Sequence, residues 1–263
     1  MELRPKKSLG QNFLLDKNII KSIVKIGNID KNSKVLEIGP GKGNLTEFIL
    51  KEKPKKLIVI EKDNNLTNLL YDKFSNQITL LNQDILSYKF NFSSKDKLIV
   101  FGNLPYNIST KILTNWITDN KKYKSSKKLI FMFQKEVADR IIAKTNSKNY
   151  GRLSIIANWR FEIKKEMNIS SSCFFPKPKV DSSLISFTPK KIYFNIKDPK
   201  NLEKISDIFF NQRRKMIKKP LNKIFNKTDN IIKKLELNLN LRPQNLSPET
   251  YFKITREYEN LIN

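Results

Sequence analysis

The chain has 263 residues, a single cysteine, no histidine and a formal net charge of +26. Cys173 alone excludes an internal disulfide and a multi-cysteine metal site, and the missing histidine excludes imidazole acid–base catalysis and His-ligated metals, so no metal is expected. The length suits one large domain plus a small one, and the charge points to a polyanionic partner, most simply nucleic acid.

No apolar run approaches the roughly eighteen residues of a membrane span. Met1–Lys7 lacks the apolar stretch of a signal peptide, so a cytoplasmic protein without a membrane partner is expected. Lysine, asparagine and isoleucine are all abundant, as an A/T-rich coding sequence would produce, so part of the excess charge is compositional. Arginine is the better guide: only eight residues carry it, and two are adjacent at Arg213 and Arg214.

In chain order, Gln11-Asn-Phe-Leu14 leads into a helix capped by Asp16, with Ile19, Ile20, Ile23, Val24 and Ile26 at helical spacing and Gly27 as its stop. Val35, Leu36 and Ile38 read as a short buried strand ending in Gly39, Gly41 and Gly43, three of only seven glycines. A helix over 44–53 follows, so the glycines lie between a strand and a helix N-terminus, where backbone can approach a ligand. A Gly-rich turn alone is better read as a tight βα connection with no ligand. A second strand, Leu57–Ile60, ends in Glu61, an acidic residue placed to accept both hydroxyls of a ribose. The G-x-G-x-G spacing behind Glu37 resembles S-adenosylmethionine-dependent methyltransferases more than nicotinamide enzymes.

The alternation continues with a helix from Asp63 to Lys73, a strand 78–81 with Asp84 at its tip, and a strand 97–101. Next come a helix 109–118 capped by Ser109, a strand 129–133 and a helix 134–144. This pattern predicts an α/β fold with a mostly parallel sheet and helices on both faces. Ligands in such sheets lie at the carboxyl ends of the strands, and Gly39, Glu61, Asp84 and Asn103 all fall there. Late strands are expected at 161–169 and 184–188. From Pro189 onward long helical patterns take over: 201–219, which includes Gln212-Arg-Arg-Lys215, a shorter one near Ile231, and one starting at Ser247-Pro248. The expected domains are therefore 1–188 for catalysis and 189–263 as a small helical domain.

Phe101-Gly-Asn-Leu-Pro-Tyr106 ends a strand and lies one strand from the candidate methyl-donor site. An adenine amine is a poor nucleophile because its lone pair is delocalised into the ring. Two acceptors, the carboxamide of Asn103 and the carbonyl of Leu104 or Pro105, would each take one amine hydrogen and concentrate that lone pair. Pro105 stiffens the turn and Tyr106 offers a stacking face. The base must be unpaired or flipped out to reach them. No general base is required, which suits a chain without histidine.

Together, Gln11-Asn-Phe-Leu14, Glu37-Ile-Gly-Pro-Gly-Lys-Gly43, Asn103-Leu-Pro-Tyr-Asn-Ile-Ser109, Phe174-x-Pro-x-Pro-x-Val-x-Ser182 and Gln212-Arg-Arg-Lys215 resemble the KsgA-type ribosomal RNA adenine dimethyltransferases over nearly the whole chain. The resemblance implies a Rossmann-like class I methyltransferase fold. It also implies transfer of two methyls from S-adenosylmethionine to N6 of each of two adjacent adenosines near the 3′ end of small-subunit ribosomal RNA. By resemblance, Asn12, Leu14, Gly39, Gly41, Glu61, Asp84 and Asn103 contact the cofactor. Asn103, Leu104, Pro105 and Tyr106 hold the target base, with Phe174 on its other face. Arg213, Arg214 and Lys215 bind RNA, and the partner is small-subunit RNA in a pre-30S particle, met by a monomer. Asn158 and Met216 depart from the family pattern, where glutamine and threonine are expected. Two rivals are a large-subunit ribosomal RNA adenine methyltransferase of macrolide-resistance type and a non-catalytic RNA-binding assembly or transcription factor on the same fold. Leu104, Gly151-Arg-Leu-Ser154 and Gln212-Arg-Arg-Lys215 favour the small-subunit enzyme.

Overall fold

The computed structural model describes residues 5–6, 9–225 and 228–262, so the leader reading of Met1–Lys7 lies mostly outside the described residues. Its first elements are β1 (Phe13–Leu14), α1 (Lys17–Gly27), β2 (Lys34–Ile38), α2 (Asn44–Lys51), β3 (Lys56–Glu61), α3 (Asn64–Phe74) and β4 (Thr79–Asn82). Then follow β5 (Leu98–Asn103), α4 (Ser109–Thr118), α5 (Asn120–Ser125), β6 (Ser126–Gln134), α6 (Lys135–Ile141), α7 (Arg152–Arg160), β7 (Phe161–Ile169), β8 (Phe174–Phe175) and β9 (Ser182–Pro189). The remaining helices are α8 (Pro199–Phe210), α9 (Lys218–Ile224), α10 (Thr228–Lys234) and α11 (Pro248–Ile262).

Seven strands form one sheet in the order β4-β3-β2-β5-β6-β9-β7. β2 runs parallel to β3 and β5, β3 to β4, and β5 to β6, whereas β9 is antiparallel to β6. The chain builds outward from β2 to β4 on one side and from β5 on the other. The order thus reverses between β2 and β5, and a crevice opens there at the carboxyl ends of the strands. Successive strand residues face opposite sides. Val35, Val59, Ile99, Phe101 and Ile130 pack with Ile20, Ile23 and Val24 of α1 and Leu45 and Ile49 of α2. On the other side Phe131 meets Trp116 of α4 edge-on. Both faces are therefore covered, as the near-continuous apolar strands require.

Several local expectations are corrected. α1 ends at Gly27 as expected, but the left-handed residue that turns the chain is Asn28, with φ 49°. Gly27 is needed for packing instead, since a Cβ there would lie 2.5 Å from the ring of Phe101. Ser109 does not cap α4 with its side chain; its hydroxyl donates to the carbonyl of Tyr106. The expected helix over 201–219 is two helices. α8 ends at Phe210 in tight turns, Gln212 N–H to Phe209 and Lys215 N–H to Gln212. Pro220 then sits in the first turn of α9, the one place in a helix where its missing N–H costs little. The run Gln212-Arg-Arg-Lys215 therefore lies on a turn.

By packing, the chain divides into one unit of Met1–Ala138 with Ile163–Pro189 and a second of Asp139–Glu162 with Lys190–Asn263. The break after Pro189 falls one residue from the expected boundary at 188, but 139–162 groups with the C-terminal helices. Inside that second unit, Tyr251 of α11 packs against Phe209 and Phe210 of α8, and Tyr150 packs against Phe210. Among the described residues no helix is long and apolar enough to cross a membrane.

Candidate cofactor and target-base site

A cavity of about 280 Å³ opens at the carboxyl ends of β2, β3 and β5. Asn12, Leu14, Gly39, Gly41, Glu61, Asp84, Asn103, Leu104, Pro105 and Tyr106 all line it, so ten residues drawn from five separate stretches of sequence meet at one place. Behind them the wall is apolar, with Ile23, Leu45, Ile130, Met132 and Leu184.

The glycine turn after β2 takes left-handed geometry at Gly39 and Gly41, φ 66° and 59°. A Cβ on Gly39 would meet only the carbonyl of Asn103, at 3.8 Å, so the cavity stays open beside it. A Cβ on Gly41 would instead strike the ring of Phe13 at 2.7 Å. The tight approach at Gly41 is thus made by the protein's own N-terminal segment, which forms a wall of the cavity. That segment is held by β1 pairing antiparallel with β8, and by Asn44, whose side chain donates to the carbonyl of Leu14 at 2.8 Å.

Glu61 ends β3 and is buried. Its Oε1 accepts the N–H groups of Lys62 and Asp63 at 2.8 and 2.9 Å, and Oε2 accepts Gly41 N–H at 3.3 Å. Burial pushes its pKa up, opposed by those three N–H groups. The acceptor capacity left for a ribose is therefore concentrated on Oε2. Asp84 accepts Leu86 N–H and the Lys62 ammonium, each at 2.9 Å. Burial acts to raise its pKa, but these donors bring it below the ordinary value.

Glu37 sits mid-strand in β2, 1% exposed, with Thr46 Oγ1 donating to it at 2.7 Å. Burial pushes its pKa from 4.5 to about 8, Thr46 pulling down and the charge of Glu61 adding to the rise. Between those two pH values the folded chain keeps a proton that the unfolded chain releases, so stability falls as pH rises through that window. Glu37→Gln, which imitates the neutral acid, is expected to remove a loss of up to about 5 kcal/mol across it. Urea unfolding from pH 5 to 9 measures this, and parallel stability curves for parent and variant would rule it out.

Asn103 closes β5. Its Nδ2 donates to the backbone carbonyl of Asn12 at 2.9 Å, and since a carbonyl can only accept, the amide oxygen is the end left for the cavity. The carbonyl of Pro105 already accepts Ile108 N–H at 3.1 Å, whereas among the described residues no such turn bond engages that of Leu104. Tyr106 lines the cavity with its hydroxyl 2.6 Å from Oγ of Ser182, a fully buried residue at the start of β9. The hydroxyl, idle if the ring merely stacks, thus fixes the ring. Phe174 is a correction. It is 4% exposed, packed with Leu14, Ile20 and Leu184 in the core, and absent from the cavity wall. Its strand neighbour Phe175 faces out, 53% exposed.

Sequence reasoning gave Gln11 and Ser182 no role beyond their motifs and Asp63 none beyond opening a helix. Asp63 caps α3 and also accepts Gln11 Nε2 at 2.9 Å and Lys6 Nζ at 2.8 Å. No local pattern reveals partners so far apart in the chain.

In the second unit, Asn146, Lys148, Arg213, Arg214, Arg242 and Gln244 line a shallow basic concavity. Arg213 is engaged internally: its Nε donates to Gln244 at 3.2 Å and its Nη2 to the carbonyls of Ser147 and Lys148. Arg214 and Lys215 are exposed.

Residues 2–260 match the family model described as ribosomal RNA adenine dimethylase. The chain is similar to the ribosomal RNA small subunit methyltransferase A of Pelagibacter ubique, 55% identical over 261 residues and 99% of each chain. It is 39% identical to the protein of that name from Wolbachia pipientis wMel, over 99% of this chain and 91% of the other. Among solved structures it resembles a dimethyladenosine transferase from Plasmodium falciparum, TM-score 0.80 at 25% identity, covering 94% of this chain and 98% of that one. The 23S rRNA methyltransferase ErmE, TM-score 0.70 at 20% identity over 94% and 99%, shares the fold.

Proposed function

The chain belongs to the ribosomal RNA adenine dimethylase family, and from that premise we propose how it acts as an S-adenosylmethionine-dependent adenine dimethyltransferase of small-subunit ribosomal RNA. The proposed targets are N6 of two adjacent adenosines near the 3′ end of that RNA, met by a monomer within a pre-30S particle in the cytoplasm.

The cavity suits the cofactor on its own chemistry. It joins an open backbone turn at Gly39, a carboxylate with acceptor capacity on Oε2 of Glu61, a second carboxylate at Asp84 and an apolar wall. Asn12, Leu14, Gly39, Gly41, Glu61, Asp84 and Asn103 would hold it. When bound, S-adenosylmethionine supplies an electrophilic methyl on a sulfonium. The protein's part is to make the amine nucleophilic. Asn103 Oδ1 and the Leu104 carbonyl accept its two hydrogens, Pro105 stiffens that turn, and the Tyr106 ring stacks on the base. The amine becomes acidic only as the methyl arrives, so solvent can take its proton. The observation that carries this reading is the Asn103 amide, turned by the Asn12 carbonyl so that its oxygen faces the cavity. It is tested by mapping N6,N6-dimethyladenosine after incubating the purified protein and cofactor with unmodified small-subunit particles, free small-subunit RNA and large-subunit RNA. Modification of the particles is expected; none there, or modification confined to large-subunit RNA, rejects it.

RNA docking is proposed for the basic turn after α8. Arg214 and Lys215 are its phosphate-contacting members, with Lys148 and Arg242 beside them and Arg213 holding the turn together. Arg214→Ala with Lys215→Ala is expected to weaken RNA binding and flatten its salt dependence by roughly 0.7–0.9 per lost phosphate contact. Cofactor affinity should not change. Equal salt slopes for variant and parent would remove this turn from the interface.

A further inference from the structure

Asn103 works only in one of its two amide orientations. With the amide reversed, its NH2 would face the hydrogens of the substrate amine, donor against donor. The selector is the backbone carbonyl of Asn12, which accepts Asn103 Nδ2 at 2.9 Å. That carbonyl is flanked by Phe13, the first residue of β1, on one side and by Gln11 on the other. Gln11 Oε1 accepts the N–H of Lys6 at 2.7 Å, and its Nε2 donates to Asp63 Oδ2 at 2.9 Å. Asp63 is 4% exposed and cannot yield: Oδ1 also accepts Asn65 N–H at 3.1 Å and Lys6 Nζ at 2.8 Å, while its own N–H is bound to Glu61 Oε1. Hydrogen bonds thus tie the start of α3 to Gln11, and one residue of backbone further on lies the carbonyl that Asn103 uses.

We propose that Gln11, anchored by Asp63, is a positioning residue for methyl transfer, setting the orientation of the Asn103 amide through the carbonyl of Asn12. The inference rests on the reading above, in which Asn103 accepts from the amine. Gln11 is not needed merely to keep the N-terminal segment in place. The β1–β8 pairs, the Asn44 bond to Leu14 and the bond from Leu15 N–H to the Cys173 carbonyl do that independently.

The hydrogen-bond polarity supplies the test. Gln11→Glu sets one carboxylate against another and loses the donor to Asp63. Adding Asp63→Asn restores the bond between the two positions with its direction reversed: the new amide donates to the new carboxylate, which still accepts the N–H of Lys6, and net charge is unchanged. Single-turnover methyl transfer to small-subunit particles is measured at saturating cofactor, with thermal unfolding and cofactor affinity alongside. Gln11→Glu is expected to slow the step by about 10- to 100-fold, and the paired variant to return it to within about threefold of the parent. In an Asn103→Ala background, Gln11→Glu should cause no further loss of rate, because its effect passes through that amide. A parental rate in folded Gln11→Glu overturns the proposal. So does an equal loss with and without Asn103, or a folded paired variant that stays slow. If Asn103→Ala alone keeps the parental rate, the reading of the site fails and this link with it. If Asn103→Ala is slow and Gln11→Glu is not, only the link fails.

Discussion

Replacing Asn103 by alanine is expected to lower the single-turnover rate of methyl transfer by about 10²–10³, the usual cost of removing one preorganised hydrogen bond at a reacting centre. RNA binding should survive, because the residue acts on the amine rather than on the RNA backbone. Asn103→Asp separates the two ends of the side chain. Judged from sequence alone it keeps an acceptor for the amine and should be partly active. The structure reverses that expectation, since the other end must donate to the Asn12 carbonyl and a carboxylate would present oxygen to oxygen. The aspartate variant should therefore be no faster than the alanine one. The measurement is transfer of labelled methyl to small-subunit particles with enzyme in excess. A parental rate in Asn103→Ala would mean the nucleophile does not sit beside this amide.

The second large effect is expected at Glu61. A hydrogen bond to a charged group contributes about 1.5–3 kcal/mol, so Glu61→Ala should weaken S-adenosylmethionine binding roughly 10- to 150-fold. The same carboxylate accepts the N–H groups of Lys62, Asp63 and Gly41, so the variant should also be less stable, by about 1–3 kcal/mol for each donor left buried without a partner. Calorimetric titration at a temperature where the variant is folded distinguishes the two consequences. Unchanged affinity in the folded variant would confine Glu61 to shaping the glycine turn.

The sheet and its rim were legible because the signals are local. Val35–Ile38 and Leu57–Ile60 are short β-branched runs, Asp16 and Asp63 are caps beside the helices they open, and one polar or glycine residue follows each central strand. What was not legible depended on contacts between distant residues. Phe174 and Phe175 are chemically identical neighbours, and only the register with β1 decides which is buried: Leu14 opposite Phe174 faces the core, whereas Phe175 lies opposite Phe13. The bond from Tyr106 to Ser182, the tie from Gln11 to Asp63 and the grouping of 139–162 with the C-terminal helices are of the same kind. The end of α8 at Phe210 is different: the expected helix already stopped before Pro220, and no glycine or proline marks the break at Phe210.

The pairing of β1 with β8 has a consequence for how the protein comes into being. The glycine turn, Glu61 and Asn103 all leave the ribosome well before Phe174 and Phe175, so the five parallel strands can assemble while the wall at residues 9–14 still lacks its partner. Closing so long a loop costs entropy that grows only with the logarithm of its length, but a two-residue ladder recovers little of it. The recovery comes from burying Leu14 and Phe174 together in the core. A nascent chain with a finished parallel sheet therefore still has its cavity open on one side. The closing wall comes late in translation, when one of the last strands of the first unit is laid against β1.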